Sequence, residues 1–181
     1  MAITKIQSEA INLADDFAFT GTVTGAGGTN TPAFQAVQSA DVSISGSTST
    51  LIPFNSETYD SNNLFNPSTG KFTMDSSNAG KYFIYAKITI DSDSTYGTSG
   101  NYFGIELRHY NSSDSLVNQH QWRTTWSTVF YPSAAVSGIF NLSNGDYVVP
   151  YAKLTGSGHV VIGVNTTSTD YNEFTGFKLI T

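Results

Sequence analysis

The sequence predicts an all-β protein, an antiparallel two-sheet jelly-roll sandwich preceded by an extended N-terminal arm. Apolar side chains recur at every second residue along most of the chain, and no long segment follows the 3.6-residue helical period. About ten such segments follow one another at short spacing after residue 30, which is typical of sandwiches and jelly rolls. Turns rich in Asn, Gly, Pro and Ser separate the segments, as expected for antiparallel strands.

The predicted strands all lie in one domain that covers residues 31–181. Each strand is bounded by a turn signal, and the clearest alternation is in residues 101–110, where Phe103, Ile105 and Leu107 share one face. The strands are predicted at residues 32–38, twice within 42–54, and at 70–74, 80–91, 101–110, 115–123, 134–142, 147–154, 159–164 and 173–180.

Residues 1–30 form a separate N-terminal arm that ends in a glycine-rich hinge at residues 24–28. The arm carries apolar side chains but is too short to build a core of its own, so we expect it to pack on a partner. We predict that it anchors the protein through five apolar residues: Ile11, Leu13, Phe17, Phe19 and Val23.

Composition excludes several classes of function. The 181 residues carry a net charge of −6, and the eight Lys and Arg residues are too few for a nucleic-acid partner. The absence of cysteine excludes disulfides and thiolate metal sites. The chain contains no apolar run of membrane-spanning length, and its first residues lack the apolar region of a signal peptide. We therefore expect no membrane insertion and no secretory signal.

Two predicted strands are apolar on both faces, which indicates a cover from outside the sandwich. In residues 80–90 one face carries Tyr82 and Ile84, and the opposite face begins with Phe83 and Tyr85. Residues 147–152 repeat the pattern. A cyclic homo-oligomer is the economical source of the second cover. We predict an interface formed by Phe83, Tyr85, Tyr147, Val149 and Tyr151.

Three segments resemble the C1q domain of the C1q/tumour-necrosis-factor jelly-roll superfamily. They are FNPSTGKFT at residues 65–73, GKYFIYAKITI at 80–90 and FTGFKLI at 174–180, and they occur in the family's order. The resemblance covers roughly residues 31–181 and implies a C1q/TNF-like fold, a homotrimer, and binding rather than catalysis. The chain departs from the family in an enlarged hairpin around Asn111 and in lacking a collagen-like stalk.

In place of that stalk, residues 10–25 resemble N-terminal segments of virion structural proteins from marine tailed bacteriophages, where similar arms precede small C1q-like heads on the particle surface. This resemblance implies a location on the virion surface and other virion proteins as partners of residues 1–30.

No pattern in the chain indicates catalysis, a cofactor or a metal. The three histidines, His109, His120 and His159, fit structural or surface roles, and no Ser/His/Asp spacing suggests a nucleophile. Residues 91–95 begin like a calcium loop, but Tyr96 replaces the required glycine and Tyr102 the bidentate glutamate. We therefore expect no enzyme activity, no cofactor and no obligatory metal.

Two segments could recognise a host surface. Trp122 and Trp126 could form an aromatic platform for glycans, although burial in the core or in a trimer seam is the favoured role of both. The segment around residues 91–100 has the composition of an adaptable binding loop. Its candidate ligand residues are Ser94, Thr95, Tyr96 and Thr98.

The first hypothesis is a homotrimeric bacteriophage virion structural protein, either a capsid decoration protein or the head of a short fibre, with decoration favoured because the arm is short. The second is a receptor-binding fibre tip that recognises a host glycan or another surface group. A free secreted C1q-like lectin is the third, and the missing signal peptide counts against it.

Overall fold

A computed structural model describes residues 31–46, 48–90, 102–125, 133–155, 159–162 and 172–179. Within these ranges the chain forms thirteen strands and no helix, so no described helix is available to cross a membrane. The strands are β1 Ala33–Val37, β2 Val42–Ser45, β3 Ser49–Leu51, β4 Ser56–Asp60, β5 Phe65–Asn66, β6 Lys71–Thr73, β7 Gly80–Thr89, β8 Tyr102–Tyr110, β9 Leu116–Thr125, β10 Ser133–Leu142, β11 Tyr147–Leu154, β12 His159–Ile162 and β13 Glu173–Lys178.

Two antiparallel sheets make the sandwich. Sheet I has the strand order β10-β7-β13-β1-β4, and sheet II has the order β5-β6-β11-β8-β9, with β3 added alongside β11. Strands β12 and β2 form a separate two-stranded ribbon. Strands far apart in sequence are neighbours in both sheets, so the fold depends on long-range pairing. The predicted antiparallel two-sheet architecture is confirmed.

The core lies between the sheets and is rich in aromatic rings. Strand β7 alternates regularly, with Tyr82 and Ile84 fully buried and Phe83 turned away from the core. The Phe34 ring stacks on Phe72 at 4.1 Å between centroids. Its other ring contacts are Phe65 at 5.4 Å and Phe174 at 4.8 Å. These rings join β1, β5, β6 and β13, so one cluster ties the two sheets together.

The two ends of the sandwich differ in what they connect. The chain enters at residue 31, next to the end of β13, where Ala33 pairs with Phe177; we call this the arm-proximal end. Strand β7 finishes at the opposite, distal end, where the amide of Thr89 donates a hydrogen bond to Asn172 Oδ1 at 2.6 Å. Residues 91–101 therefore follow β7 at the end of the sandwich opposite to the one where the described chain begins.

The predicted strands correspond to observed ones, but two observed strands were not predicted. Strand β4 has the sequence SETYD and is mostly exposed, so it lacks the alternation that marks a strand. The two residues of β5 fall inside the segment interpreted as a turn. The division into an arm and a domain is not tested, because residues 1–30 lie outside the described ranges.

Candidate assembly face

An apolar row crosses the outer face of sheet I at the arm-proximal end. Because the register aligns Ile139 with Phe83 and Phe83 with Phe177, their side chains lie side by side on neighbouring strands. Ala33 continues the row on β1. The Phe83 and Phe177 ring centroids are 5.5 Å apart. The side chain of Ile139 is 59% exposed, so the row is open to a partner.

The next rows toward the distal end become polar. Tyr85 lies between Ser137 and Thr175. Beyond it, Lys87 pairs in register with Glu173, which accepts a hydrogen bond from Gln35 Nε2 at 3.2 Å. Partial burial, and to a lesser degree the negative charge of Glu173, raise the pKa of Tyr85, so its phenol is neutral at physiological pH. The outer face of sheet I is thus apolar at the arm-proximal end and carries the neighbouring charged residues Lys87 and Glu173 toward the distal end.

Strands β9 and β10 form one open side of the sandwich. Each has a single paired neighbour among the described residues, and His120 of β9 packs its ring on Phe140 of β10 at 4.9 Å. Gly138 permits this approach, because a Cβ there would lie only 2.8 Å from the His120 ring. Leu116, Val117 and Trp122 of β9 are exposed.

The edge of β10 that no described strand pairs with lacks the usual protection against pairing with another chain. Its ten residues contain no charge and no proline, and all ten pair with β7 without a bulge. Exposed edge strands of soluble proteins normally carry such features. An uncharged, regular edge next to exposed apolar side chains is expected where a partner covers it.

The outer face of sheet II is covered by the chain itself. Although Tyr147 and Val149 point away from the core, they are buried, and Val149 is only 1% exposed. The Tyr147 ring stacks with Tyr110 at 5.2 Å, and Lys71 Nζ lies 3.7 Å from its centroid. The Tyr147 hydroxyl donates to Asp114 Oδ1 at 2.8 Å. Burial, followed by this hydrogen bond, raises the pKa of Tyr147.

Tyr151 is covered in the same way. The Arg108 guanidinium lies 4.3 Å from its ring centroid and donates to Glu106 Oε2 and to Ser49 Oγ, the latter at 2.7 Å. Burial, followed by a hydrogen bond with Tyr110, raises the pKa of Tyr151. The two-sided apolar pattern of β11 therefore has an intramolecular cover that the sequence did not reveal.

The structure thus divides the five predicted interface residues into two groups. Phe83 and Tyr85 lie together on the outer face of sheet I, whereas Tyr147, Val149 and Tyr151 lie on the outer face of sheet II. The two groups belong to opposite sides of the sandwich. Whether either group contacts another subunit stays a prediction.

Other candidate residues fall outside the described part of the chain. They are the arm residues Ile11, Leu13, Phe17, Phe19 and Val23, the loop residues Ser94, Thr95, Tyr96 and Thr98, and Trp126. Trp122 is described and is 55% exposed, so burial in the core of its own subunit is wrong for this residue. Two of the roles considered for Trp122 stay predictions, the seam between subunits and an aromatic platform for glycans.

The described histidine side chains have structural surroundings. His109 is buried, and its Nε2 lies 2.9 Å from Asp146 Oδ2, which also accepts the backbone amide of Ser143 at 2.9 Å. This pair fixes the turn between β10 and β11, and sequence reasoning missed it. Among the described residues no group of three His, Cys, Asp or Glu side chains could hold a metal ion.

Comparison with known proteins supplies the fold. No protein-family profile and no curated protein sequence matches the chain. Among solved structures, murine APRIL at pH 5.0 matches with a TM-score of 0.55 and 13% identity, over 81% of this chain and 98% of that one. Murine APRIL at pH 8.0 matches with a TM-score of 0.54 and 15% identity, over 81% of this chain and 98% of that one. The globular domain of zebrafish complement 1qA protein matches with a TM-score of 0.49 and 17% identity, over 82% of this chain and 98% of that one. The two APRIL matches, both with a TM-score above 0.5, show that the chain has the C1q/TNF-like jelly-roll fold.

Proposed function

We propose that this protein is a homotrimeric, non-enzymatic structural module of a bacteriophage virion, displayed on the particle surface and anchored by residues 1–30. The homotrimer in this proposal rests on one observation, that each copy has two exposed surfaces. One is the apolar row on the outer face of sheet I, and the other is the unprotected β9/β10 side.

These surfaces are suited to a ring. They are different patches of one molecule, so contact between them is heterologous, and a heterologous contact closes into a cyclic oligomer when its rotation permits. The β9/β10 side of one copy offers Trp122 and the β10 edge, and the outer face of sheet I of the next offers Phe83 and Phe177. Burial of these side chains stabilises the assembly by roughly 25 cal/mol per Å² of apolar surface removed from water.

Three copies fit the proposal better than an open chain of copies. An open heterologous contact leaves one uncharged β10 edge free at one end and one apolar row free at the other, and invites fibres, whereas a closed trimer covers all three edges. The C1q/TNF-like fold, to which the family resemblance assigns a trimer, supports the same number.

The virion placement rests on the arm. Its sequence resembles the arms that precede C1q-like heads on tailed-phage particles, and its five apolar residues precede a glycine-rich hinge. The described chain begins at one end of the sandwich, so three arms would leave a trimer from the same end. A trimer held in this way would point its distal end outward, which suits capsid decoration or the head of a short fibre.

A receptor-binding tip is the second candidate, and one observation favours it. Strand β7 ends and β8 begins at the distal end, as do the end of β9 and the start of β10. The connections of residues 91–101 and 126–132 therefore start and finish there. Three copies of each would lie together on a trimer, so weak single contacts with a host glycan would add up through avidity.

Particle incorporation tests the proposal. Phage carrying a version that lacks residues 1–30 should assemble without this protein, while the isolated truncated protein keeps the β-sheet circular dichroism and the mass of a trimer. A full-length Phe17→Asp/Phe19→Asp variant should behave in the same way and controls for the loss of length. Normal incorporation of both variants would contradict the anchoring role of the arm and place the anchor on the globular domain.

A further inference from the structure

A shallow depression of about 520 Å³, largely open to solvent, lies beside β5 and β6 near the arm-proximal end. Its volume lies within the roughly 300–1,000 Å³ typical of small-molecule sites. Half of its lining residues have apolar side chains and half have polar ones. The lining consists of Leu64, Phe65, Pro67 and Met74 together with Asn63, Asn66, Thr73 and Asp75.

The walls of the pocket are held in place by side-chain caps. On one side the Asp60 carboxylate accepts the amides of Asn62 at 3.1 Å and Phe65 at 2.6 Å. On the other side Asp75 Oδ1 accepts the amides of Ser77 and Asn78, both at 2.9 Å. The Thr73 amide donates to the Leu64 carbonyl at 2.8 Å and joins the two walls. A site that is shaped before binding loses less conformational entropy when a ligand enters.

Several polar groups of the lining have no partner among the residues that the structure describes. These are the Asn63 side-chain amide, the Asn66 Nδ2 group and the Thr73 hydroxyl. Asn63 has a left-handed backbone, with φ of 56°, which asparagine tolerates better than most residues. Leu64, Phe65 and Met74 lie beneath these groups and are buried in the core, so Pro67 is the apolar residue of the lining with the most exposed surface.

The lining excludes most ligand classes. An anion is disfavoured because no Lys or Arg lines the pocket and the exposed Asp75 carboxylate does. A divalent cation lacks ligands, because no three acidic or histidine side chains cluster in the described chain. A purely apolar ligand would cover the Asn63, Asn66 and Thr73 side chains without offering them a hydrogen bond. A neutral sugar ring fits, since its hydroxyls both donate and accept and its C–H groups can pack on Pro67.

We propose that this pocket binds one neutral pyranose unit, through hydrogen bonds from Asn63, Asn66 and Thr73 and to the Asp75 carboxylate. The site differs from the distal loop residues considered above, and it does not depend on the placement of the protein in a virion. It would give each copy a glycan contact at the flank of the sandwich, near the end from which the arm leaves.

Saturation-transfer NMR on the full-length protein tests the site with four probes: glucose, galactose, mannose and N-acetylglucosamine. At least one should show saturable transfer. Asn63→Gly removes the amide at a backbone angle that suits glycine, and Thr73→Val keeps the side-chain shape without the hydroxyl. Each should weaken binding roughly fivefold, the effect of one ordinary hydrogen bond. Asn144→Gly changes an exposed turn asparagine outside the pocket and should leave binding unchanged.

Charge provides a second test. Glucuronate, which matches glucose except for its carboxylate, should bind more weakly than glucose to the wild type. Asp75→Asn should reduce this difference in affinity, because it removes the negative charge and keeps one side-chain oxygen to accept the amides of Ser77 and Asn78. The proposal is overturned by no transfer from all four sugars, by transfer that survives both pocket substitutions, or by stronger binding of glucuronate. Light scattering on the same samples reports the oligomeric state, so a failure of the trimer is distinguishable from a failure of the pocket.

Discussion

Gly176→Ala should destabilise the fold because the added methyl group has no room. A Cβ at this position would lie 2.9 Å from Phe34 Cε1, 3.0 Å from the Phe83 carbonyl oxygen and 3.2 Å from Ile84 Cγ1. The Phe34 ring cannot move away easily, because Phe72 stacks on it at 4.1 Å between centroids. Overpacking of this kind costs about 1–3 kcal/mol. For a chain of this length, at about 2–4 °C per kcal/mol, the Tm should fall by roughly 2–12 °C.

Thermal unfolding followed by circular dichroism, at one fixed protomer concentration, measures this effect. Ser76→Ala, in an exposed turn, is the matched control and should leave the Tm unchanged. Phe34→Leu removes the ring atom that the new methyl would meet, so Gly176→Ala should cost less in that background, with a coupling on the order of 1 kcal/mol. A Gly176→Ala protein with the same Tm as the wild type would refute this account of the packing. An equal loss of stability in the wild-type and Phe34→Leu backgrounds would refute it as well.

The remaining predictions concern pH, metal and host contact. Burial, with a smaller effect from Asp75, raises the pKa of Tyr82 to about 12, whereas the same tyrosine in the unfolded chain ionises near its ordinary pKa of 10.0. The stability that this pKa difference contributes is therefore fully present below pH 10 and is lost as the pH rises toward 12. Tyr82→Phe should make the decline of the urea midpoint between pH 10 and 12 shallower. An unchanged slope would contradict the assignment to Tyr82. A chelator should leave the Tm within error, and a fall of many degrees would indicate a bound ion. Replacing residues 94–99 with a neutral linker should leave adsorption of the phage unchanged if the role is decoration, and lost adsorption with normal particle yield would favour the receptor-binding tip.

The sequence was sufficient to predict the fold because the strands of the core follow a strict alternation. In β7 and β8 the inward residues are apolar at every second position, so both strands and the two-sheet architecture could be derived from period alone. The C1q-like segments added the topology. Strand β4 was not predicted because its side chains are mostly polar, and β5 was not predicted because it has only two residues. Such strands form through pairing with strands that are distant in the sequence.

The candidate site was predictable only in part. Phe83 and Tyr85 could be recognised in the sequence because they are aromatic residues on the outward face of an alternating strand. In the structure both are half-buried on the outer face of sheet I. The outward face of β11 looked equivalent in sequence, yet Lys71 covers Tyr147 and Arg108 covers Tyr151. Cation–π contacts between distant strands leave no periodic signal. The pocket beside β5 was also missed, because turn residues form its walls and its shape depends on side-chain caps.

The mass of the protein in solution tests the central claim most directly. Sedimentation equilibrium of the wild type at micromolar concentration should give three times the 19.5 kDa of the chain. Tyr85→Asp would place a carboxylate on the face that the next copy covers, and an unpaired buried charge costs several kcal/mol, so this variant should sediment as a folded monomer. Asp at the exposed turn residue Ser76 is the control and should remain a trimer. A wild-type protein that is well folded and sediments at 19.5 kDa would contradict the account.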